Sequence, residues 1–292
     1  MTEEAISAGF RETILGREPA ITQYGSQPLM DERQDHRRGA LIINADDWGR
    51  DRNTTDRTLE CIQRGSVSSV SAMVLMEDSE RAATVAREHG IDAGLHLNFT
   101  TPFSAADCPA QLLECQRKVA TYLRNPLALG LFNPLLVRSF EHLVAAQRDE
   151  FRRLYGTDPN RYDGHHHMHL SANVLIGGLL PSGTLVRQHF SYEPREKAIR
   201  NCVFRKLTTM LQFRRYRAVD YFFPLPPIAP PDRLHKIFSL AGRFVVEVET
   251  HPVNPEEYLF LAGGDLFRWV GDCPIAPRFE TADRVLSVGK HV

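Results

Sequence analysis

The sequence contains no apolar run approaching the roughly 20 residues that a membrane-spanning helix needs, so no transmembrane segment is expected. Its five cysteines, Cys61, Cys108, Cys115, Cys202 and Cys273, are an odd number without a Cys-x-x-Cys pair. That spacing favours neither a disulfide framework nor a structural zinc site, and makes a reducing cytoplasm the expected setting. Charge of one sign is also missing: 35 basic against 36 acidic side chains leave a net charge of -1. Nothing global therefore attracts nucleic acid or an anionic membrane. Met1 to Gly9 hold two glutamates and no basic residue ahead of a long apolar stretch, unlike a secretory signal. Repeats and low-complexity tracts are absent. What is present is an ordinary globular composition, 42% hydrophobic and 24% charged over 292 residues, enough for one large α/β domain or two smaller ones.

Residues 1–38 show no sustained period of two or 3.6 and read as an N-terminal extension outside the core. The texture changes at Ala40. Leu41-Ile42-Ile43 is a short apolar run, as in a strand buried on both faces, and it ends in Asn44-Ala45-Asp46-Asp47. A helix is predicted over Asn53–Arg64 with Gly65 as its stop, a strand over Val67–Leu75, a helix over Ser79–His89 with Gly90 behind it, and a strand over Ile91–Asn98. This alternation predicts a parallel sheet, open or closed into a barrel, with ligand groups at the strands' carboxyl ends. Residues 100–156 read as an inserted helical cap with a long amphipathic helix over Leu135–Tyr155. Strands follow at Arg161–Gly164, Thr184–Gln188 and Phe244–Thr250, with a helix at Arg233–Ala241. Pro224 to Pro231 reads as a stiff irregular connection.

Four clusters carry the chemistry. Asp46-Asp47 closes the first strand; because neighbouring strand residues point to opposite faces, one carboxylate could ligate a metal while the other meets a water, although a turn with a helix N-cap explains the pair equally well. Gly94-Leu95-His96-Leu97-Asn98 ends another strand, and a lone histidine there is more often a hydrogen-bonded core residue than a ligand. Asp163-Gly164-His165-His166-His167-Met168-His169 shifts the balance. Four histidines within five residues would be costly to bury without partners, neutral imidazole is the commonest metal ligand, and Asp163 can receive an imidazole N–H. An extended conformation would place His165, His167 and His169 on one face. The fourth cluster is the alternating strand Val246-Glu247-Val248-Glu249-Thr250-His251-Pro252. Several separate strands ending in Asp or His suggest one site, and an Asp-plus-two-His set with open positions suits Mg²⁺, Mn²⁺, Fe²⁺ or Zn²⁺.

Taken in order, these segments resemble the YdjC-like carbohydrate deacetylase family. Ile42 to Gly49 is similar to its "NADDFG" motif, Gly94 to Asn98 to "GLHLN", Asp163 to His169 to "DxHHHxH", and Thr250-His251-Pro252 to "CHP". The resemblance runs from about residue 40 to near the C-terminus. It implies a distorted parallel β/α barrel, TIM-like and polysaccharide-deacetylase-like, as a single domain over residues 39–292. It also implies one divalent metal ion, Mg²⁺ or Zn²⁺ foremost, held by Asp47, His96 and His165, and hydrolysis of the N-acetyl group of an N-acetylated sugar. A homodimer is compatible with the resemblance, but no residues mark an interface. Trp48 in place of Phe, the Arg50-Asp51-Arg52 loop, Thr250 in place of Cys and the extension depart from the pattern; they bear on the substrate more than on the chemistry.

By similarity to other metal-dependent polysaccharide deacetylases, Asp46 is the expected base. His251 is the expected acid for the departing amine, since a histidine near a carboxylate can be protonated near pH 7. Asn98, His167, His169 and Arg187 are the candidate substrate contacts. Arg195, Lys197, Arg200, Arg205, Lys206, Arg214, Arg215 and Arg217 concentrate charge that could steer an anionic glycan. The competing readings are a metal-dependent phosphoesterase, which would need more carboxylates for a second ion, and a metal- or sugar-binding homologue without catalysis.

Overall fold

The computed structural model of the protein describes residues 39–125, 127–191, 212, 214–271 and 273–279. The expected extension and the basic residues Arg195, Lys197, Arg200, Arg205 and Lys206 lie outside the described residues. Seven strands form one sheet: β1 (Ala40–Trp48), β2 (Ser69–Ala72), β3 (Ala93–Leu97), β4 (Arg161–Gly164), β5 (Leu185–Val186), β6 (Tyr221–Pro224) and β7 (Val245–Thr250). Every pairing is parallel, in the order β5-β4-β3-β2-β1-β7-β6. Every pair of consecutive strands except β5 and β6 thus lies side by side and β7 returns to β1, which is the order of a barrel cut between β5 and β6. Among the described residues no strand ladder joins β5 to β6, and the links across the seam include a bridge from Leu185 to Arg217, a bond from the Ser191 N–H to the Phe222 carbonyl at 2.7 Å and one from the Phe222 N–H to the Ser191 hydroxyl at 3.1 Å. The expected distorted β/α barrel is therefore a curled sheet with an incomplete seam.

Helices α1 (Arg52–Gln63), α2 (Ser79–His89), α3 (Ala110–Leu123) and α4 (Val137–Tyr155) connect the early strands, α5 (Ala172–Gly177) and α6 (Pro231–Leu240) lie between later ones, and α7 (Pro255–Ala262) and α8 (Asp265–Val270) follow β7. Local chemistry sets their ends. The Asp51 carboxylate accepts the Thr54 N–H at 2.8 Å and starts α1, while left-handed Gly90 and Gly156 stop α2 and α4. On α4, Phe140, Leu143, Val144, Gln147, Phe151 and Leu154 recur at helical spacing and are buried. That face packs on α2, α3 and β3, so the expected cap over residues 100–156 serves as the β3-to-β4 crossover on the outside of the sheet.

The strands sort side chains by the period of two. On β1, Leu41, Ile43 and Ala45 join Val70, Leu95, Val246 and Val248 in the large core under the helices, whereas Ile42 belongs to a separate cluster with Ala40, Leu185, Val219, Phe222, Val245, Ala276 and Phe279. Two expectations need correction. Val67–Leu75 narrows to Ser69–Ala72, and the strand β6 at Tyr221–Pro224, hidden by the prolines behind it, pairs at the sheet edge where a missing ladder N–H is tolerated.

Candidate metal centre

The carboxyl end of β1 carries the first device. The β1–β2 register shifts between Ala45 and Trp48, and Asp47 takes a left-handed backbone with φ 64°. A regular strand would send Asp46 and Asp47 to opposite faces, as the sequence suggests; the bulge turns both carboxylates toward the mouth of the barrel. Such a conformation costs on the order of 1 kcal/mol and is better tolerated by Asp than by most residues. Gly49 completes the turn at φ 85°, where an added Cβ would lie 3.1 Å from the Met73 carbonyl.

The histidine run is a second departure from regular backbone. It is not extended: His166 and His167 are left-handed at φ 55° and 58°, inside a tight helical turn over His165–Leu170. The four rings therefore diverge. His165 reaches Asp47, His166 packs at 3.9 Å against the His165 ring with Nδ1 at 3.0 Å from the Thr100 hydroxyl, and His167 turns to Glu249, with its ring 4.7 Å from that of Phe190. His169 is fully buried, Nε2 at 2.9 Å from the Arg187 carbonyl.

Asp47, His96 and His165 converge. Asp47 Oδ1 lies 2.8 Å from His165 Nδ1 and 3.4 Å from His96 Nε2, and one donor atom of each residue lies within 4.8 Å of the others. All three are buried. Although Asp47 Oδ1 is close to both rings, no donor is aligned with it as a hydrogen bond. Donors held by one ion through bonds of about 2.1 Å lie roughly 3–4 Å apart, so this convergence fits a divalent cation. The other Asp47 oxygen takes the Arg50 guanidinium at 2.8 Å. His96 Nδ1 bonds Asp163 Oδ1 at 2.8 Å, which leaves Nε2 facing Asp47; this is the carboxylate–imidazole arrangement that orients a metal ligand.

A charged network lies directly beneath. Buried Arg187 forks onto Asp46 at 2.6 and 2.8 Å, reaches Glu247 at 2.8 Å, Asp163 at 3.1 Å and Glu249 at 3.3 Å, and lies 4.9 Å over the Phe222 ring. Asn44 donates to Asp46 at 2.9 Å, and the Ser71 hydroxyl donates to Asp163. Burial alone would raise the Asp46 carboxyl, but Arg187 and His96 hold it lowered. Asp47 is lowered likewise, with His165 and His96 outweighing burial. Burial opposes charge on His96, yet Asp46 and Asp163 push it up to about 10, so a cation binding there displaces a proton. Burial dominates at Glu247, raised to about 7, and at Glu249, raised well above the usual carboxylate range. His167 and His169 are lowered by burial to about 3 and about 4 and stay neutral.

A second group joins Asp46, Glu249 and His251, whose nearest donor atoms also lie within 4.8 Å of one another. Glu249 was not singled out from the sequence, though the Val246-Glu247-Val248-Glu249 alternation already places both glutamates on the inward face. Of the expected substrate contacts, His167 sits at the partly exposed rim. Asn98, His169 and Arg187 do not: each is buried, and the Asn98 amide is spent on the turn that follows, accepting the Thr100 and Thr101 N–H groups and donating to the Thr101 carbonyl. Among the described residues Cys61, Cys108, Cys115 and Cys273 are free thiols, and no helix is long and apolar enough to cross a membrane.

The chain is similar to several known proteins. A carbohydrate deacetylase from Mus musculus is 31% identical over 172 residues, covering 56% of this chain and 53% of that protein. A carbohydrate deacetylase from Geobacillus stearothermophilus is 30% identical over 145 residues, 46% of this chain and 52% of that protein. A chitooligosaccharide deacetylase from Serratia marcescens is 29% identical over 135 residues, with the same two coverages of 46% and 52%. The chain thus spans about half the length of the curated relatives it matches. A crystal structure from Enterococcus faecalis V583, of a protein provisionally named for cellobiose-phosphate cleavage, superposes with a TM-score of 0.53 at 16% identity over 86% of this chain and 94% of that one, a likeness of fold. The sequence model of the YdjC-like proteins matches residues 40–252, well over half of the chain and all four motif segments, and the chain belongs to that family.

Proposed function

We propose that the protein is a metal-dependent hydrolase that removes the acetyl group of an N-acetylated sugar, releasing acetate and a free amine. The observation that carries this reading is the convergence of Asp47 Oδ1, His96 Nε2 and His165 Nδ1 in one buried group, with the Asp46 carboxylate near His96. Membership of a family whose relatives include carbohydrate deacetylases supplies the substrate class.

Asp47, His96 and His165 would hold one divalent cation, Mg²⁺ or Zn²⁺ foremost and Mn²⁺ or Fe²⁺ also compatible with the donor set. When bound there, such a cation polarises an acetyl carbonyl and lowers the pKa of a water. Asp46 is the base that takes the water proton as the water oxygen bonds the carbonyl carbon. Arg187 and Asn44 fix its orientation and keep it ionised, so Arg187 acts as a positioning residue. As the carbon–nitrogen bond breaks, His251 gives a proton to the leaving nitrogen. Its backbone is set by Glu257, which accepts the His251 N–H at 2.8 Å, the Thr250 hydroxyl at 2.8 Å and the Asn254 amide at 2.7 Å. His167 at the rim contacts the sugar; His169 and Asn98 support the site from below and beside it.

The test is acetate release from N-acetylglucosamine oligosaccharides and from lipid- and nucleotide-linked N-acetylated sugars, with metal content measured on the same sample. The expected outcome is acetate and amine in equal amounts, abolished by chelation and restored by a divalent ion. Absence of acetate with every metal and every substrate rejects the proposal, and phosphate release from a phosphorylated sugar instead would move the site to phosphoester chemistry.

A further inference from the structure

The segment between α3 and α4 bonds its backbone to the protein and leaves its large apolar side chains in solvent. The Tyr122 hydroxyl donates to the Leu131 carbonyl at 2.7 Å, the Asn133 N–H to the Asn173 side-chain oxygen at 3.0 Å, and the Asn173 amide to the Asn133 carbonyl at 2.8 Å. Ala128 is buried, and the Leu129 carbonyl accepts the Ala172 N–H at 2.9 Å. The backbone is therefore fixed, yet Leu127, Leu131, Phe132 and Leu135 are exposed, Leu135 at 90%. Ile176, one helical turn beyond Asn173 on α5, is more than half exposed as well. Since the segment is bonded to the first turn of α5, and α5 starts directly after the histidine turn, these side chains lie at the end of the barrel that carries the metal centre.

We propose that this segment docks the protein on the surface of an anionic lipid bilayer, with Leu127, Leu131, Phe132 and Leu135 entering the boundary between headgroups and acyl chains. Charge supports a lipid surface. From Val119 to Phe140 there is no acidic residue, and Arg124 and Arg138, which flank the apolar side chains, are exposed and without an ion pair among the described residues. Beyond Ile176, the exposed Arg215 lays its guanidinium against Gly178, so close that a Cβ there would collide with it. An apolar centre within a basic border matches acyl chains beneath anionic headgroups. A second copy of the chain fits less well. The five apolar residues expose roughly 500 Å², short of the roughly 800 Å² that each partner of a stable dimer buries. In a two-fold contact the same face meets itself, which sets arginines against arginines. A bilayer needs no matching shape. The contact does not depend on which reaction the metal centre performs, and it turns the mouth of the barrel toward the bilayer.

Co-sedimentation of the full chain with vesicles tests it, using phosphatidylcholine alone and phosphatidylcholine mixed with phosphatidylserine. The native protein is expected to bind the mixed vesicles more tightly, and added salt to weaken that binding. Leu135→Ser shortens a side chain that lies in solvent, so folding and metal content should stay native while the partition coefficient falls about tenfold. Leu131→Ser gives an independent reading of the same loss. Arg124→Gln should lower binding to mixed vesicles about fivefold and leave phosphatidylcholine alone unchanged. Failure of the native protein to sediment with mixed vesicles overturns the proposal. So does equal binding by the native, Leu131→Ser and Leu135→Ser proteins, because the contact then lies elsewhere in the chain. Sedimentation velocity without lipid supplies the remaining outcome: a native dimer that Leu135→Ser converts to a monomer assigns this face to a second copy and overturns the bilayer assignment.

Discussion

Near the amino ends of the strands, the inward positions Ala40, Ile42, Leu185 and Val245 pack with Val219, Phe222, Ala276 and Phe279 into a small apolar plug. One or two inward steps further along the same strands the interior becomes Asn44, Asp46, Ser71, His96, Asp163, Arg187, Glu247 and Glu249, all buried. The backbone differs as well. The plug end uses regular parallel ladders, while the charged end holds the bulge at Asp47 and the left-handed pair His166 and His167. Burying several carboxylates around one guanidinium is unfavourable unless geometry and hydrogen bonds are good, and a strained turn adds to the cost. The plug and the helix-covered outer core supply the rigidity against which that cost is borne, so one end of the barrel is free to be shaped by chemistry.

Cutting the charged end at two points separates its parts, with the largest effects expected anywhere in the molecule. Asp46→Asn keeps the shape and removes the proposed base. Acetate release should fall at least about a thousandfold while metal content stays at the native level, since Asp46 is outside the Asp47, His96 and His165 set. His165→Ala should lose both activity and metal. Steady-state acetate release with elemental analysis of the same preparations distinguishes the two, and a metal-free Asp46→Asn protein would show that the carboxylate holds the ion rather than the proton.

The plug end should answer in the opposite currency, stability without chemistry. Ile42 is fully buried, two positions before Asn44 and four before Asp46. Ile42→Ala removes three carbons from a packed cluster and is expected to lower unfolding free energy by about 3 kcal/mol, read from a denaturant transition. Metal affinity should change less than twofold. A large loss of metal binding in this variant would mean that the two ends are mechanically coupled and that the plug helps to aim the ligands.

The same division explains what the sequence makes legible. The helix predicted over Ser79–His89 has those bounds, and the strands at β1, β3, β4 and β7 are found where apolar runs end in polar groups, because period and glycine stops are local properties. Asp46, Asp47, His96, His165 and His251 are brought to one end of the barrel, as strand ends in a parallel sheet must be. What local pattern cannot carry is the Asp47 bulge, which brings in two carboxylates where alternation allows one, and the reversal at His166 and His167, which separates rings that an extended run would align. The turn into the histidine run also depends on tertiary approach: at Gly164 an added Cβ would meet the Leu97 carbonyl and His169 at 3.0 Å. Burial is likewise a tertiary property. It places Arg187, His169 and Asn98, candidate substrate contacts from the sequence, among the buried side chains, and it brings Glu249 beside Asp46 only once β7 is set beside β1.

The smallest expected effect sharpens the boundary between the two ends, where Glu247 is the lowest carboxylate on β7. Burial raises it from an ordinary 4.5 to about 7, against the pull of Arg187. Between those values the folded protein holds a proton that the unfolded chain has released, so the unfolded state binds fewer protons and stability falls as pH rises through this window. The contribution is fully present below about pH 4.5 and is lost above about pH 7, amounting to about 2 kcal/mol between pH 5 and pH 7. Glu247→Gln, which cannot titrate, removes that slope. Denaturant unfolding of chelator-treated native and variant proteins at the two pH values reads the difference directly, and other groups cancel in the comparison. If the two proteins lose equal stability on going from pH 5 to pH 7, Glu247 is ionised throughout, and the charge of the site extends one full step closer to the plug.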